Sequence, residues 1–152
     1  MAEDTSAAQQ STGAESTALN EALAASHAAI WGYGVVGAAL GEGAAPAAAA
    51  EEAHRNLRDR VTALLVDREA EPVGAEGADA LPFPVLSEVD AAALAVVLED
   101  GVAATWVRVL DQAAERSTRE LAVTALGDAE VRAVQWRAAA GQTPVTTAFP
   151  GL

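Results

Sequence analysis

Apolar residues recur along this chain at alternating spacings of three and four positions, a pattern typical of amphipathic α-helices. The clearest run covers residues 17–40, and similar runs cover 46–67, 88–112 and 117–140. The positions that form the first run are Leu19, Leu23, Ser26, Ile30, Tyr33, Gly37 and Leu40. Because each run is long enough for several helical turns, the pattern predicts four helices.

Local signals place the ends of these helices. Ser87 precedes the third helix as a candidate N-cap, and Ser117 with Glu120 three residues later fits a capping box for the fourth. Pro46 stands in the first turn of the second helix, where proline is favoured. Gly41 follows the first helix and Gly141 the fourth, as glycine commonly does at a helix C-terminus.

The connections between the predicted helices constrain their arrangement. Short loops join helices one and two, and helices three and four, so each pair is expected to form an antiparallel hairpin. Residues 68–86 separate the two hairpins and are rich in Pro and Gly. A connection of about nineteen residues reaches up to about 60 Å, whereas a helix of about 22 residues is only about 33 Å long. We therefore predict an all-α, ferritin-like four-helix bundle over residues 17–141, with a long crossover between helices two and three.

The two ends of the chain carry different patterns. Residues 1–16 are small, polar and acidic, and we predict a disordered leader there. This start has no Lys or Arg, unlike a signal peptide, so a cytoplasmic protein is expected. Residues 142–152 contain Phe149 between prolines, and we predict that this tail docks on the bundle.

Residues 22–40 form an uncharged run of about the length of a membrane span. Most of the run is Ala and Gly, and no basic residue flanks it to set a topology. These features favour a buried bundle helix, and no membrane span is expected.

Composition supports the helical prediction and excludes several functions. There are 40 Ala, the strongest helix former, and the nine basic residues are all Arg. The absence of Cys excludes disulfides, Cys-ligated zinc, iron–sulfur clusters and thiol catalysis. A net charge of −13 opposes nonspecific nucleic-acid binding, because a phosphate backbone would meet a surface of like charge.

After residue 16, several stretches resemble the sequences of a known family. They are AAIWGYGVVG (28–37), AHRNLRD (53–59), LPFPV (81–85), QWR (135–137) and AFPGL (148–152). The LPFPV and FPGL stretches are the more specific evidence for the family, because a composition that favours helices would not by itself produce them. The chain is similar to the small ferritin-like domain of unknown function that is widespread in actinobacteria. The resemblance implies a four-helix ferritin-like bundle, but it brings neither an assigned activity nor catalytic residues.

A G-x-G-x-x-G pattern runs from Gly32 to Gly37. A dinucleotide site would require a strand before this pattern and a helix after it, whereas here the pattern lies inside a helical period. We interpret the glycines as positions of close helix packing.

The strongest hint of chemistry is a Glu-x-x-His motif formed by Glu51 and His54. Two such motifs and two further Glu residues hold the metals of ferritin-like di-metal proteins, which makes Glu99 and Glu130 the other candidate ligands for iron or manganese. Against this hypothesis, the equivalent position of helix four is Ala133, and helix one offers Ser26 in place of a ligand. No cofactor is therefore favoured.

Counting outward from the hairpin turns places Glu99 level with Glu130 and near the depth of Arg58, about one turn or more from His54. This register suggests a buried salt-bridge cluster of Arg58, Glu99, Glu130 and Arg132 where related bundles hold metal. The alternatives are that these charges are solvated or that they bind metal.

Three functions remain open. The first is a non-catalytic structural or interaction module with a degenerate metal site, a homodimer formed through a face that includes Trp31 or Trp106. The second is a di-metal carboxylate protein. The third is a binder of a small apolar ligand in the bundle core, beside the glycine-rich first helix.

Overall fold

The computed structural model describes residues 2–77 and 80–152, so Met1 of the predicted leader and residues 78–79 of the crossover lie outside the described residues. Its helices are α1 (Ala2–Leu40), α2 (Ala45–Asp67), α3 (Glu88–Gln112) and α4 (Arg116–Ala139), and a 3-10 turn over Gly41–Gly43 joins the first two. The described part of the chain contains no strand. The prediction of an all-α protein with four helices is confirmed.

Contacts between the helices fix their directions. Glu15 of α1 reaches the backbone at Ala114, whereas Tyr33 near the other end of α1 reaches Glu99 of α3. Residue numbers therefore rise on α1 as they fall on α3, and these helices are antiparallel. Because the tight turn after α1 makes α2 antiparallel to α1 as well, α2 and α3 run parallel. The connection between them crosses the length of the bundle, and the predicted crossover is confirmed.

The first helix is longer than expected. Helix α1 begins at Ala2, whereas the sequence pattern predicted a disordered leader over residues 1–16 and a helix from residue 17. Residues 2–16 contain no Pro and several Ala. Extending an existing helix gains one hydrogen bond for each residue fixed and avoids a second nucleation step, so an Ala-rich leader continues the helix.

The other boundaries agree with the prediction to within one residue. Ser87 is the N-cap of α3, and its side chain accepts a hydrogen bond from the Asp90 N–H at 3.1 Å. The capping box predicted for α4 does not form, because that helix begins at Arg116 and Glu120 accepts a hydrogen bond from the Arg116 side chain.

The predicted buried faces of α3 and α4 were wrong in part, because alanine is spread around both helices. On α4, the spacing of three and four positions counted from Leu121 predicts Val131 and Gln135 inside, but both are exposed, whereas Ala133 and Trp136 lie in the interior. On α3, the same spacing counted from Leu94 predicts Thr105 inside, but the middle of the buried face contains Trp106. Alanines stand on every side of these helices and reduce the contrast on which a face assignment depends.

Among the glycines of the G-x-G-x-x-G pattern, Gly32 makes the closest approach to another helix. A Cβ added there would lie 2.6 Å from Leu98 Cδ1 of α3, whereas one at Gly34 would meet nothing within 4 Å. The pattern lies within α1, so the dinucleotide motif lacks its required strand.

One helical stretch of the described chain, Ser6–Gly43, contains a window of 18 residues that is apolar enough to cross a membrane. In this structure the same helix packs against α2 and α3. A buried core helix meets the same criteria of length and composition.

Candidate functional site

One polar side chain from each helix meets at the centre of the bundle, around the carboxylate of Glu99. Glu99 itself is fully buried, with 0% of its surface exposed. Its Oε1 accepts hydrogen bonds from Tyr33 Oη at 2.5 Å, Arg132 Nε at 2.8 Å and His54 Nε2 at 3.0 Å. We call these four residues, Tyr33 of α1, His54 of α2, Glu99 of α3 and Arg132 of α4, the Glu99 cluster.

The cluster keeps a negative charge in an apolar interior. Burial raises the pKa of Glu99, but hydrogen bonding and electrostatic interaction with His54 and Arg132 together outweigh that effect and hold its pKa below the ordinary value. Burial and the adjacent Glu99 charge both raise the pKa of Tyr33 above its ordinary range. Tyr33 therefore stays neutral and donates its hydroxyl proton to the carboxylate.

Aromatic rings surround this charge. The rings of Tyr33 and His54 are stacked, with centroids 5.6 Å apart and planes inclined by 25°. The Trp136 ring packs on Tyr33 from another side, with centroids 6.1 Å apart. Within the described residues, Glu99 Oε2 and His54 Nδ1 are buried and have no hydrogen-bond partner. Three donors therefore converge on one oxygen of the carboxylate and none on the other.

The structure brings together only some of the predicted site residues. Of the four metal candidates, His54 and Glu99 meet, whereas Glu51 pairs with Arg55 one turn along α2. Glu130 turns instead toward Arg137, at 3.4 Å. Within residues 2–77 and 80–152, no group of three or more His, Cys, Asp or Glu side chains could hold a metal ion.

The predicted salt-bridge cluster is half right. Glu99 and Arg132 do pair, but Arg58 was wrongly included, since it bonds to its neighbour Asp59 at 2.8 Å. Glu130 was also wrongly included, as its partner is Arg137. The expected depth was wrong by about one turn, because Glu99 lies level with His54 and not with Arg58. The hairpin turns fix the register within each pair of helices, whereas the register between the pairs depends on where the crossover returns the chain.

These residues do not fit a two-metal centre. Such a centre in this fold uses four carboxylates and two His, whereas the Glu99 cluster offers one of each. The Arg132 guanidinium already occupies Glu99 Oε1, and its positive charge would repel a divalent cation at that oxygen. What this arrangement can do is neutralise a buried carboxylate and fasten four helices at one level.

Two further ion pairs each contain one buried side chain, that of Glu15 and that of Arg137, and sequence reasoning missed both. Glu15, fully buried, pairs with Arg68 at 2.9 Å, and its Oε2 accepts the N–H of Ala114 at 3.0 Å. Arg137 pairs with Asp100 of α3 and donates to the Val145 carbonyl of the C-terminal tail at 3.2 Å. Glu15 was assigned to the leader, so only its position on a continuous α1 brings it into the interior.

Comparison with known proteins gives a family and a fold. No curated protein matches the chain. The crystal structure of a conserved hypothetical protein, Rv2844, from Mycobacterium tuberculosis is similar, with 37% sequence identity and a TM-score of 0.79. The match covers 83% of this chain and 96% of that one, and its source agrees with the actinobacterial resemblance. Residues 18–152 match a family model described as Domain of unknown function (DUF4439), and the chain therefore belongs to that family.

Proposed function

We propose that this protein is a non-catalytic helical module of the ferritin-like class, in which an internal ion pair takes the place of a metal centre. The observation that carries the proposal is the contact of 2.8 Å between Arg132 Nε and the fully buried Glu99 Oε1. Ferritin-like carboxylate proteins direct one or more ligands from each helix into the core. Here each helix also directs one polar side chain to a common point, but one of the four is a cation.

The charge of the cluster supports this proposal. A buried carboxylate needs a cation, and a guanidinium supplies one with its donors in a fixed geometry. The other carboxylates suggested for a metal, Glu51 and Glu130, are each paired with an arginine of their own helix. Arginine thus neutralises each acid that the alternative function would need.

Metal analysis tests the proposal directly. Protein purified without chelator and then incubated with ferrous iron or manganese is expected to retain only trace metal. Arg132→Met is expected to destabilise the fold by about 2–4 kcal/mol, because it leaves the Glu99 charge buried without its guanidinium. Arg58→Met is the matched control and should cost less than about 0.5 kcal/mol, since its pair is on the surface.

Stoichiometric iron or manganese in the wild-type protein, or an absorbance change when ferrous iron and oxygen are added, would overturn the proposal in favour of the di-metal alternative. Equal stability of the Arg132→Met and Arg58→Met variants would remove its structural basis.

For the interaction part of the function, we propose a homodimer formed through α4. Trp106, one of the two residues expected at the interface, is fully buried inside the bundle and so was wrongly assigned to the surface. Val123 and Val131 lie two turns apart on α4 and are exposed by 58% and 62%. In sedimentation equilibrium, Val131→Glu should weaken self-association, whereas Val89→Glu, at a position 55% exposed on α3, should not. A monomer at every concentration would contradict this proposal.

A further inference from the structure

A groove of about 790 Å³ lies on the side of α1 that faces the crossover. One wall is the α1 face from residue 21 to residue 34, and crossover residues 73–77 form the roof. Glu51 and Arg55 of α2 close one side, and Thr105 of α3 closes the other. The Glu99 cluster is not part of this lining, so the groove is a separate feature of the molecule.

Hydrogen bonds hold the roof in place. Asn20 Nδ2 donates to the Glu71 carbonyl at 3.0 Å, and its Oδ1 accepts the Val73 N–H at 2.9 Å. His27 Nε2 donates to the Val73 carbonyl at 3.2 Å. These three bonds fasten the crossover to α1 immediately before it passes over the groove. The start of the roof is thus fixed to α1 at Val73.

The size and lining of the groove suit a small molecule with an apolar body. Sites for small ligands typically have volumes of about 300–1,000 Å³ and mostly apolar walls. Small residues such as Ala24, Ala28 and Gly34 leave free space along the α1 wall. A Cβ added at Gly34 would meet nothing within 4 Å. Ile30 and Trp31 add larger apolar surfaces to the same wall.

The charged residues of the lining indicate which charge a bound ligand would carry. Among the residues that the structure describes, the lining contains three carboxylates, Glu21, Glu51 and Glu76, but one guanidinium, that of Arg55. Glu21 pairs with Arg108 and Glu51 with Arg55, whereas Glu76 makes no ion pair with any described residue. An anion would meet this excess of negative charge on a chain of net charge −13. A cation would be attracted both by the carboxylates and by the face of Trp31.

We propose that the groove binds a hydrophobic amine, a molecule that carries one protonated nitrogen on an aromatic or aliphatic body. The amine would lie against Trp31 and the Glu76 side of the roof, and the apolar body would lie along the alanines of α1. This site is independent of the ion pair inside the bundle, so its failure would leave the proposed function untouched.

Three probes of matched shape test the proposal by isothermal calorimetry on the full chain: 1-naphthylmethylamine, 1-naphthalenemethanol and 1-naphthoate. The amine is expected to bind most tightly and the carboxylate most weakly. Glu76→Gln should weaken binding of the amine by about 2–5-fold and leave binding of the alcohol unchanged, because only the amine carries a charge.

Filling the groove provides a second test. Ala24→Leu places a larger side chain on the exposed α1 wall and should weaken amine binding by about tenfold or more. Ala48→Leu is the matched control, also at an exposed helical alanine but outside the groove, and should bind the amine as the wild type does. Both positions are exposed, so both variants are expected to keep the helical circular dichroism of the wild type.

Three outcomes would overturn the proposal. Equal affinity for all three probes would show nonspecific apolar uptake, and a preference for the carboxylate would contradict the charge argument. If Ala24→Leu abolished a dimer seen by sedimentation and no probe bound the wild type, the occupant would be a second copy of the chain.

Discussion

Glu99 shows how a single carboxylate can be accommodated inside an alanine-rich core. An isolated buried charge is very costly, and this cost falls only when hydrogen bonds and opposite charge surround the group. Glu99 has a neutral hydroxyl, an imidazole N–H and a guanidinium on one oxygen. The three donors come from three different helices, so the carboxylate also fixes the positions of those helices relative to α3.

Replacing the charge tests this role. Glu99→Gln keeps the shape but loses the ion pair with Arg132, and we expect a loss of about 2–4 kcal/mol at pH 7. Urea unfolding followed by circular dichroism measures the change. A loss below about 0.5 kcal/mol would show that the pair contributes little to stability.

The pKa of Glu99 also predicts a pH dependence. Its pKa is lower in the folded state than in the unfolded chain, so the unfolded protein binds the proton first as the pH falls. The stability from this group is therefore complete above the ordinary pKa of Glu, about 4.3, and is lost as the pH falls through the folded value. Urea unfolding between pH 7 and pH 3 should show a smaller acid loss for Glu99→Gln than for the wild type. Parallel curves for the two proteins would contradict the lowered pKa.

At the scale of elements, the start of α4 depends on a residue distant in sequence. The N-cap position, Glu115, makes no side-chain cap hydrogen bond. The carboxylate of Glu15 instead accepts the N–H groups of Ala114 and Glu115, at 3.0 and 3.3 Å. Arg68 pairs with the same carboxylate and donates to Thr118 Oγ1 at 2.8 Å, which links α1, the end of α2 and α4.

Two substitutions distinguish this tertiary cap from the local one expected from sequence. Glu15→Ala should cost about 2–4 kcal/mol, because it removes the acceptor and leaves Arg68 without its partner. Ser117→Ala should cost less than about 0.5 kcal/mol, whereas a working capping box would lose about 1 kcal/mol. Chemical denaturation at neutral pH measures both. A larger loss of stability for Ser117→Ala than for Glu15→Ala would show that the local capping box, and not Glu15, stabilises the start of α4.

At the scale of the whole molecule, the C-terminal tail contacts both α3 and α4. Gly151 has a φ of +79°, and a Cβ there would lie 2.5 Å from Val107 Cγ2 and 2.8 Å from the Ala103 carbonyl oxygen. Arg137, only 4% exposed, holds the tail through Val145. The tail thus contacts the bundle through a polar bond at Val145 and close packing at Gly151, whereas Phe149, on which the predicted docking rested, is 72% exposed.

Gly151→Ala should release the end of the tail, because the new methyl group meets backbone that cannot move aside and because a positive φ is strained for Ala. We expect limited proteolysis within residues 142–152 to accelerate about tenfold, while the melting temperature changes little. Gly74→Ala is the control, since a Cβ there meets nothing within 4 Å. Unchanged proteolysis of Gly151→Ala would show that other contacts hold the tail.

The sequence by itself determined the helices and how they are connected. Helical periodicity and the Ser87 cap are local properties, and the lengths of the connections are enough to make the hairpins antiparallel and α2 parallel to α3. His54 was identified from the Glu-x-x-His motif, Glu99 as a further candidate metal ligand, and Arg132 from the register that suggested a salt-bridge cluster.

Only the tertiary structure decided which of these residues meet. The register between the two hairpins follows from the path of the crossover and not from any local pattern. The predicted register therefore placed Glu99 near Arg58, one turn from His54, and did not identify Tyr33 as a partner of Glu99. Alanine obscured the buried faces of α3 and α4, and the contact of Glu15 with the start of α4 joins distant parts of the chain that no local pattern connects. In each case the deciding free energy comes from contacts between residues far apart in sequence, which a local periodicity does not contain.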